Sequence, residues 1–258
     1  MEYIFSIMDR INDKTVGIEL FPEWQDRKFI TELNKNIDRL KKYKSTLHGP
    51  YYDTEHSARR GTVEYNRAKE YFINTLEVSE KLNSEYIVYH YNNCKVEDEC
   101  KTDMIDISVK NLAELNEMAR IYEAEIVVEN SGVQSLENVL LEQEEFINIA
   151  LMSENRVLLD IGHAFANGWD LNHVISVLKD KIASYHIHNN DGVHDSHDRI
   201  ENGKMNIEDF FDMYRKYTPC AHLVIEYGKQ CREDADGIIE DVEKVRRELS
   251  MYDIIKPL

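Results

Sequence analysis

The chain has 258 residues, with 31 Lys+Arg against 49 Asp+Glu for a formal net charge of −18, and 42% of it is hydrophobic. That length and apolar content can fill a sizeable core, yet no apolar run approaches the ~18–20 residues a membrane span needs. The charge opposes extended contact with a polyanion, because nucleic-acid affinity rests largely on Lys and Arg neutralising phosphates.

The start, Met1-Glu2-Tyr3, lacks the basic-then-apolar order of a signal peptide. Cys94, Cys100, Cys220 and Cys231 form no Cys-x-x-Cys pair. The expectation is a cytoplasmic protein with reduced, structural thiols. No Pro-, Gly- or Ser-rich linker, low-complexity stretch or repeat interrupts the pattern, so one domain over 1–258 is expected.

In chain order, short apolar runs rich in β-branched and aromatic residues predict strands over 3–7, 16–21, 45–48, 86–90, 125–129, 156–160, 183–188 and 222–226. Between most of them, segments of helical period predict helices over 23–44, 62–82, 103–122, 136–152, 170–179 and 207–217, with 232–251 closing the chain. Asp170 and Asn206 precede two of these and are placed to accept the orphan N–H groups of a first turn. The interval from Ile7 to Val16 is too short for an ordinary helix, which makes the first βα unit the weakest. Eight strands alternating with helices, several apolar on successive residues, require a parallel sheet covered on its outer face. The fold expected is α/β, a single-domain (β/α)8 TIM barrel. An open doubly wound sheet is the alternative, but no Gly-x-Gly-x-x-Gly follows the first strand.

In such barrels the working residues lie at the carboxyl ends of the strands. Those ends carry Glu19, His48, His90, Glu129, Asp160, His188 and Glu226. In Asp160-Ile161-Gly162-His163, an Asp ending an apolar strand precedes a His across a turn eased by Gly162; either both enter one mouth, or the Asp caps the next helix beside a surface His. His186 and His188 share a strand face by the period of two. His188 is the better ligand, and His186, one layer deeper, reads as a core histidine. The following loop holds Asp195 and His197. Glu129 and Glu226 each end an apolar strand, and a buried carboxylate there needs a cation, a salt-bridge partner or a raised pKa. Carboxylate and imidazole ligands without thiolate suit a divalent ion, Zn, Mn, Fe, Co or Mg, with water completing its shell.

Other residues read more plainly. Glu19 and Trp24 could bring an acid and an aromatic platform to the mouth, although a Trp heading a helix is more often packing. His56, His173, His194 and His222 show no ligand spacing. The acidic run Glu97-Asp98-Glu99 reads as a solvated face.

The segments His48-Gly49-Pro50-Tyr51, Glu129-Asn130-Ser131-Gly132, Asp160-Ile161-Gly162-His163-Ala164, His188-Asn189-Asn190-Asp191, Asp195-Ser196-His197 and Ile225-Glu226, in this order, resemble the xylose-isomerase-like TIM-barrel superfamily. It includes sugar isomerases and epimerases and, on the same scaffold, endonuclease IV-type apurinic endonucleases. The epimerase branch implies one divalent ion on Glu129, Asp160, His188 and Glu226, with the two glutamates passing a proton through an enediolate, and His163, Glu19, Trp24 and Lys229 near a small sugar, polyol or keto-sugar. The endonuclease branch implies two or three ions, adding His48, His90, His163, Asp195 and His197, for phosphodiester hydrolysis. Against it stand the net charge and the scarcity of basic side chains near the mouth, Arg59-Arg60 and Lys229 with Arg232 being the best available. A barrel that binds a ligand without turnover is the third reading, and association into a homo-oligomer is left open.

Overall fold

Strands that are apolar on successive residues need cover on both faces, and the computed structural model, which describes residues 1–255, provides it: the β2, β3, β4 and β6 segments given below are buried at every position. The chain forms two compact units, Met1–Ser131 and a second beginning at Gly132.

The first unit runs α1 (Glu2–Ile11), β1 (Ile18–Leu20), α2 (Arg27–Leu40), β2 (Ser45–Leu47), α3 (Val63–Leu82), β3 (Ile87–His90), α4 (Asp98–Ile121) and β4 (Ile126–Glu129). Its strands pair in parallel in sequence order, with Glu19 opposite Thr46, Leu47 opposite Ile87 and His90 opposite Glu129. That last register sets two strand-terminal ligand candidates side by side.

The strand expected over 3–7 is instead part of α1. Phe5 and Met8 are buried with Ile7, a spacing that one helical face satisfies and an alternating strand does not. Arg39 lays its guanidinium 3.9 Å from the Phe5 ring centroid, and Asn12 closes the helix in the left-handed region at φ 48°. The short interval after Ile7 therefore ends a helix, and the described residues hold seven strands in place of eight. The acidic run at 97–99 is exposed, as a solvated face should be, and it also starts a helix: Glu97 is the N-cap of α4 and Asp98 and Glu99 lie in its first turn, where negative charge offsets the positive end of the helix dipole.

The second unit runs α5 (Gln143–Met152), β5 (Arg156–Asp160), α6 (Ile161–Ala166), α7 (Leu171–Leu178), β6 (Ile182–Ile187), α8 (Ile207–Tyr217), β7 (His222–Ile225) and α9 (Ala235–Ile255), with a 3-10 turn at Lys229–Glu233. A capping box of Glu142 and Glu145 starts α5. Asp170 accepts from His173 N and Asn206 from Glu208 N, as their positions before apolar periods led one to expect. β5, β6 and β7 pair in parallel, and a register shift beside Val157 and Leu158 brings Asp160 opposite His186. Cys94, Cys100 and Cys220 are exposed and Cys231 is buried, all four as free thiols. No helix among the described residues is long and apolar enough to cross a membrane.

His56 carries a pH-dependent share of the first unit's stability. Its ring lies 4.6 Å from that of Tyr89 and 5.7 Å from that of Phe72. Burial, helped by the charge of His90, lowers its pKa from 6.5 to about 3. A group whose folded pKa is depressed contributes stability above its unfolded pKa and loses it as pH falls, here from 6.5 toward 3. At ~1.36 kcal/mol per pKa unit, the protein should lose about 2–3 kcal/mol through this residue between pH 7 and pH 4.5. Urea unfolding at those two values should show that loss in the parent and not in His56→Phe; an equal loss in both would refute it.

Candidate metal centre

In the first unit His48, just past β2, His90 at the end of β3 and Glu129 at the end of β4 present ligand atoms within 4.8 Å of one another. All three are buried. His90 Nε2 lies 2.9 Å from Glu129 Oε2, and His48 Nε2 lies 3.9 Å from the same oxygen. The far nitrogens explain the orientation. His48 Nδ1 is 2.7 Å from the carbonyl of Gly49. His90 Nδ1 is 3.0 Å from Asn93 Oδ1, and Asn93 turns that oxygen to the ring because its Nδ2 donates to the carbonyl of Thr54 at 3.0 Å. A ring whose Nδ1–H donates to a carbonyl has its neutral-form lone pair on Nε2. Two such lone pairs and a carboxylate oxygen then face one another, an arrangement that a proton or a cation stabilises. The residues fit a divalent ion.

Glu19, one residue before the end of β1, accepts from Thr46 Oγ1 at 2.8 Å. Trp24 donates from Nε1 to Thr75 on α3 at 2.9 Å and meets Phe29 edge-on. Neither joins the His48, His90 and Glu129 group. Arg59 pairs with Asp103 at 2.7 Å and Arg60 with Glu114, so the arginines nearest to a basic patch are neutralised by carboxylates of α4.

In the second unit two groups share His188: Asp160, His188 and Glu226, and His163, His188, Asp195 and His197, each with ligand atoms within 4.8 Å. Asp160 ends β5 and does two jobs. Its Oδ1 accepts from His163 N at 2.7 Å, capping α6, and its carboxylate lies 3.1 Å from His188 Nε2. Both alternatives for the Asp160–His163 segment are thus met in part, but His163 is buried, not on the surface. His163 Nε2 is 3.3 Å from Asp195 Oδ2, and His197 Nε2 is 3.1 Å from Asp195 Oδ1. The His188 and His197 rings stack at 3.9 Å and 16°.

His197 is held with some backbone strain, at φ 48°. Its Nδ1 lies 3.0 Å from the carbonyl of Glu226 and its own carbonyl accepts from Gly228 N at 2.9 Å. Again Nδ1 faces a carbonyl and Nε2 faces a carboxylate. Burial opposes ionisation of Asp195, but His163 and His197 outweigh it and hold the carboxyl well below the usual carboxylate range. Burial likewise opposes charge on His197, and the hydrogen bond to Asp195 with the charge of Glu226 overrides it, raising the pKa to about 9. A cation held by this group would take the place of that proton. Lys229 lies exposed in the 3-10 turn.

His186 is the residue that sequence reasoning set aside. Its side chain is fully buried, and Nδ1 lies 3.1 Å from Glu226 Oε2 and 3.8 Å from Asp160 Oδ2. The period of two placed it on the face of His188; only the parallel register, with Asp160 opposite His186, shows that it reaches these carboxylates. Of the plainer histidines, His173 pairs with Glu144 at 3.2 Å, His194 with Asp191 at 2.9 Å, and His222 is exposed.

The chain belongs to the xylose isomerase-like TIM barrel family, which it matches over residues 12–248. It is 29% identical over 216 residues, 82% of each chain, to the uncharacterized protein MJ1614 of Methanocaldococcus jannaschii. Among solved structures it is similar to the IolI protein with a bound zinc atom, at 19% identity and TM-score 0.78 over 98% of this chain and 94% of that one. It is also similar to an L-ribulose 3-epimerase, at 15% identity and TM-score 0.72 over 99% of this chain and 93% of that one. At these identities the two structures speak for the fold.

Proposed function

We propose that the protein is a divalent-metal-dependent isomerase or epimerase of a small sugar, polyol or keto-sugar, working in a reducing, cytoplasmic compartment. The observation that carries this reading is the group of Asp160, His188 and Glu226: two members are fully buried, while the Glu226 side chain stays 23% exposed. A cation held there would keep a face open to a ligand, which is what a catalytic site needs and a closed structural site lacks. The names of the similar structures, an epimerase and a zinc-bound protein, agree with it.

Asp160, His188 and Glu226, together with Glu129, are the side chains we assign to the ion. When bound, it polarises the carbonyl and neighbouring hydroxyl oxygens of the substrate, making the carbon between them more acidic. The proton is the protein's task. One glutamate, Glu129 or Glu226, removes it from that carbon and the other returns one, on the opposite face or the neighbouring carbon. His163 orients the substrate or its oxygens, and Glu19, Trp24 and Lys229 are the outlying residues we assign to sugar contacts.

A second reading, an endonuclease IV-like phosphodiester hydrolase with two or three ions, is favoured by the additional groups formed by His48, His90 and Glu129 and by His163, His188, Asp195 and His197. The charge of −18 weighs against it. Elemental analysis of untagged protein purified without chelator decides: about one Mn, Co, Zn, Fe or Mg per chain is the expected result, from the single four-ligand set. Two or three ions per chain would overturn the ranking and make an abasic-site or phosphodiester assay the next experiment. No metal, with none taken up on titration, would sink both.

A further inference from the structure

Three candidate ligands of the second unit stand on two arms: Asp195 and His197 on the segment after β6, and Glu226 at the start of the segment after β7. One carboxylate outside the ligand groups grips both. Asp241, on α9, is 2% exposed. It accepts Arg199 in a two-pronged pair, Nε to Oδ2 at 2.7 Å and Nη2 to Oδ1 at 3.1 Å. Arg199 lies two residues after His197, and its Nη1 also donates to Asp234 at 2.6 Å. The same Asp241 Oδ2 accepts from the Tyr227 hydroxyl at 2.8 Å, and Tyr227 directly follows Glu226. The hydroxyl in turn accepts from Ile200 N at 3.0 Å, which ties the two arms to each other.

We infer that Asp241 is a positioning residue for the metal centre, a clamp on α9 that sets the Asp195–His197 arm and the Glu226 arm in one arrangement through Arg199 and Tyr227. The inference rests on the metal-dependent reading for its purpose, but the clamp itself is built from the chain's own side chains. A buried carboxylate with two guanidinium donors and a phenol donor is a rigid joint, because each donor lost leaves charge without its partner. The surrounding chain is shaped for it. A Cβ at Gly237 would lie 1.8 Å from Arg199 Nη1, so glycine at that position leaves the space the guanidinium fills. The ordinary alternative is that these bonds only dock α9, as the pair of Arg215 with Glu248 does.

Cys231 separates the two. Its thiol is buried, reaches the carbonyl of His197 at 3.7 Å, and is pushed up in pKa by its burial, whereas the other three cysteines are exposed. Its alkylation rate, followed on its own peptide by mass spectrometry in metal-free protein, reports opening of the arm. Asp241→Asn and Tyr227→Phe should each label Cys231 about tenfold faster or more than the parent, well below their melting temperatures, and Arg215→Gln should not. Both clamp variants should also take up cobalt with lower affinity and with an altered visible absorption band. Unchanged Cys231 protection in both clamp variants, or equal acceleration in Arg215→Gln, overturns the clamp. Acceleration in a protein whose parent binds no cobalt keeps the clamp and removes the metal reading.

Discussion

Replacing Gly162 by alanine should strip the second unit of its metal affinity while leaving the chain folded. By helix propensity the change is favourable, since Gly162 lies inside α6 and alanine is preferred there by about 1 kcal/mol. The obstacle is His188. A Cβ at residue 162 would fall 2.1 Å from Cε1 and 2.4 Å from both ring nitrogens of His188, well inside contact distance. The ring has little room to retreat, being fully buried and stacked at 3.9 Å on His197. Its own tether moves with it, because Asn190, two residues on, donates to the carbonyl of Gly162 at 2.8 Å. The rotation that relieves the clash takes Nε2 away from Asp160, where it now lies at 3.1 Å. His188 belongs to both ligand groups of this unit, so both should suffer. Cobalt titration should show affinity lowered by roughly 100-fold, or about 2.7 kcal/mol, at an unchanged circular dichroism spectrum. Parent-like affinity in Gly162→Ala would remove His188 from the ligand set.

This glycine also shows how far the sequence could be read. The strand ends were legible because burial on both faces writes strands as continuous apolar runs, so the polar residue that stops each run stands out: His90, Glu129 and Asp160 all end their strands. The helix α6 was legible only in one of two readings of Asp160, as the cap of the next helix. It has six residues, one of them a glycine, too short and too weak in propensity to leave a period. The segment 3–7 misled because its aromatic and β-branched content spoke louder than the spacing of Phe5 and Met8. Asp241 left no mark at all, since on α9 it resembles any other acidic residue of a charged helix, and what distinguishes it is the arrival of Arg199 from 42 positions away. Ligands that end strands are local features of the chain, whereas the residues that aim them are gathered by the fold.

Glu226→Gln and Glu129→Gln should each abolish proton exchange at the substrate carbon while affecting metal content much less. Glutamine keeps the shape of the side chain and an oxygen able to face an ion, but it does not accept a proton at neutral pH. The assay is deuterium incorporation from solvent into an accepted ketose, read by NMR. Loss of a positioned acid or base costs typically 10²–10⁴-fold, so each variant should fall by roughly 10³-fold or more. The two should differ in origin. Glu129 is buried and 2.9 Å from His90 Nε2, so glutamine there also disturbs the histidine that faces it. Glu226 keeps 23% of its side chain exposed, with His186 Nδ1 3.1 Å from Oε2, so glutamine there should leave the first unit's group untouched. His90→Asn and His197→Asn complete the test. Under a single four-ligand site both should keep their metal and most of their turnover, whereas loss of metal from either transfers the argument to the larger cluster. Full turnover in either glutamine variant would take that glutamate out of proton transfer, and with it the isomerase mechanism in the form proposed.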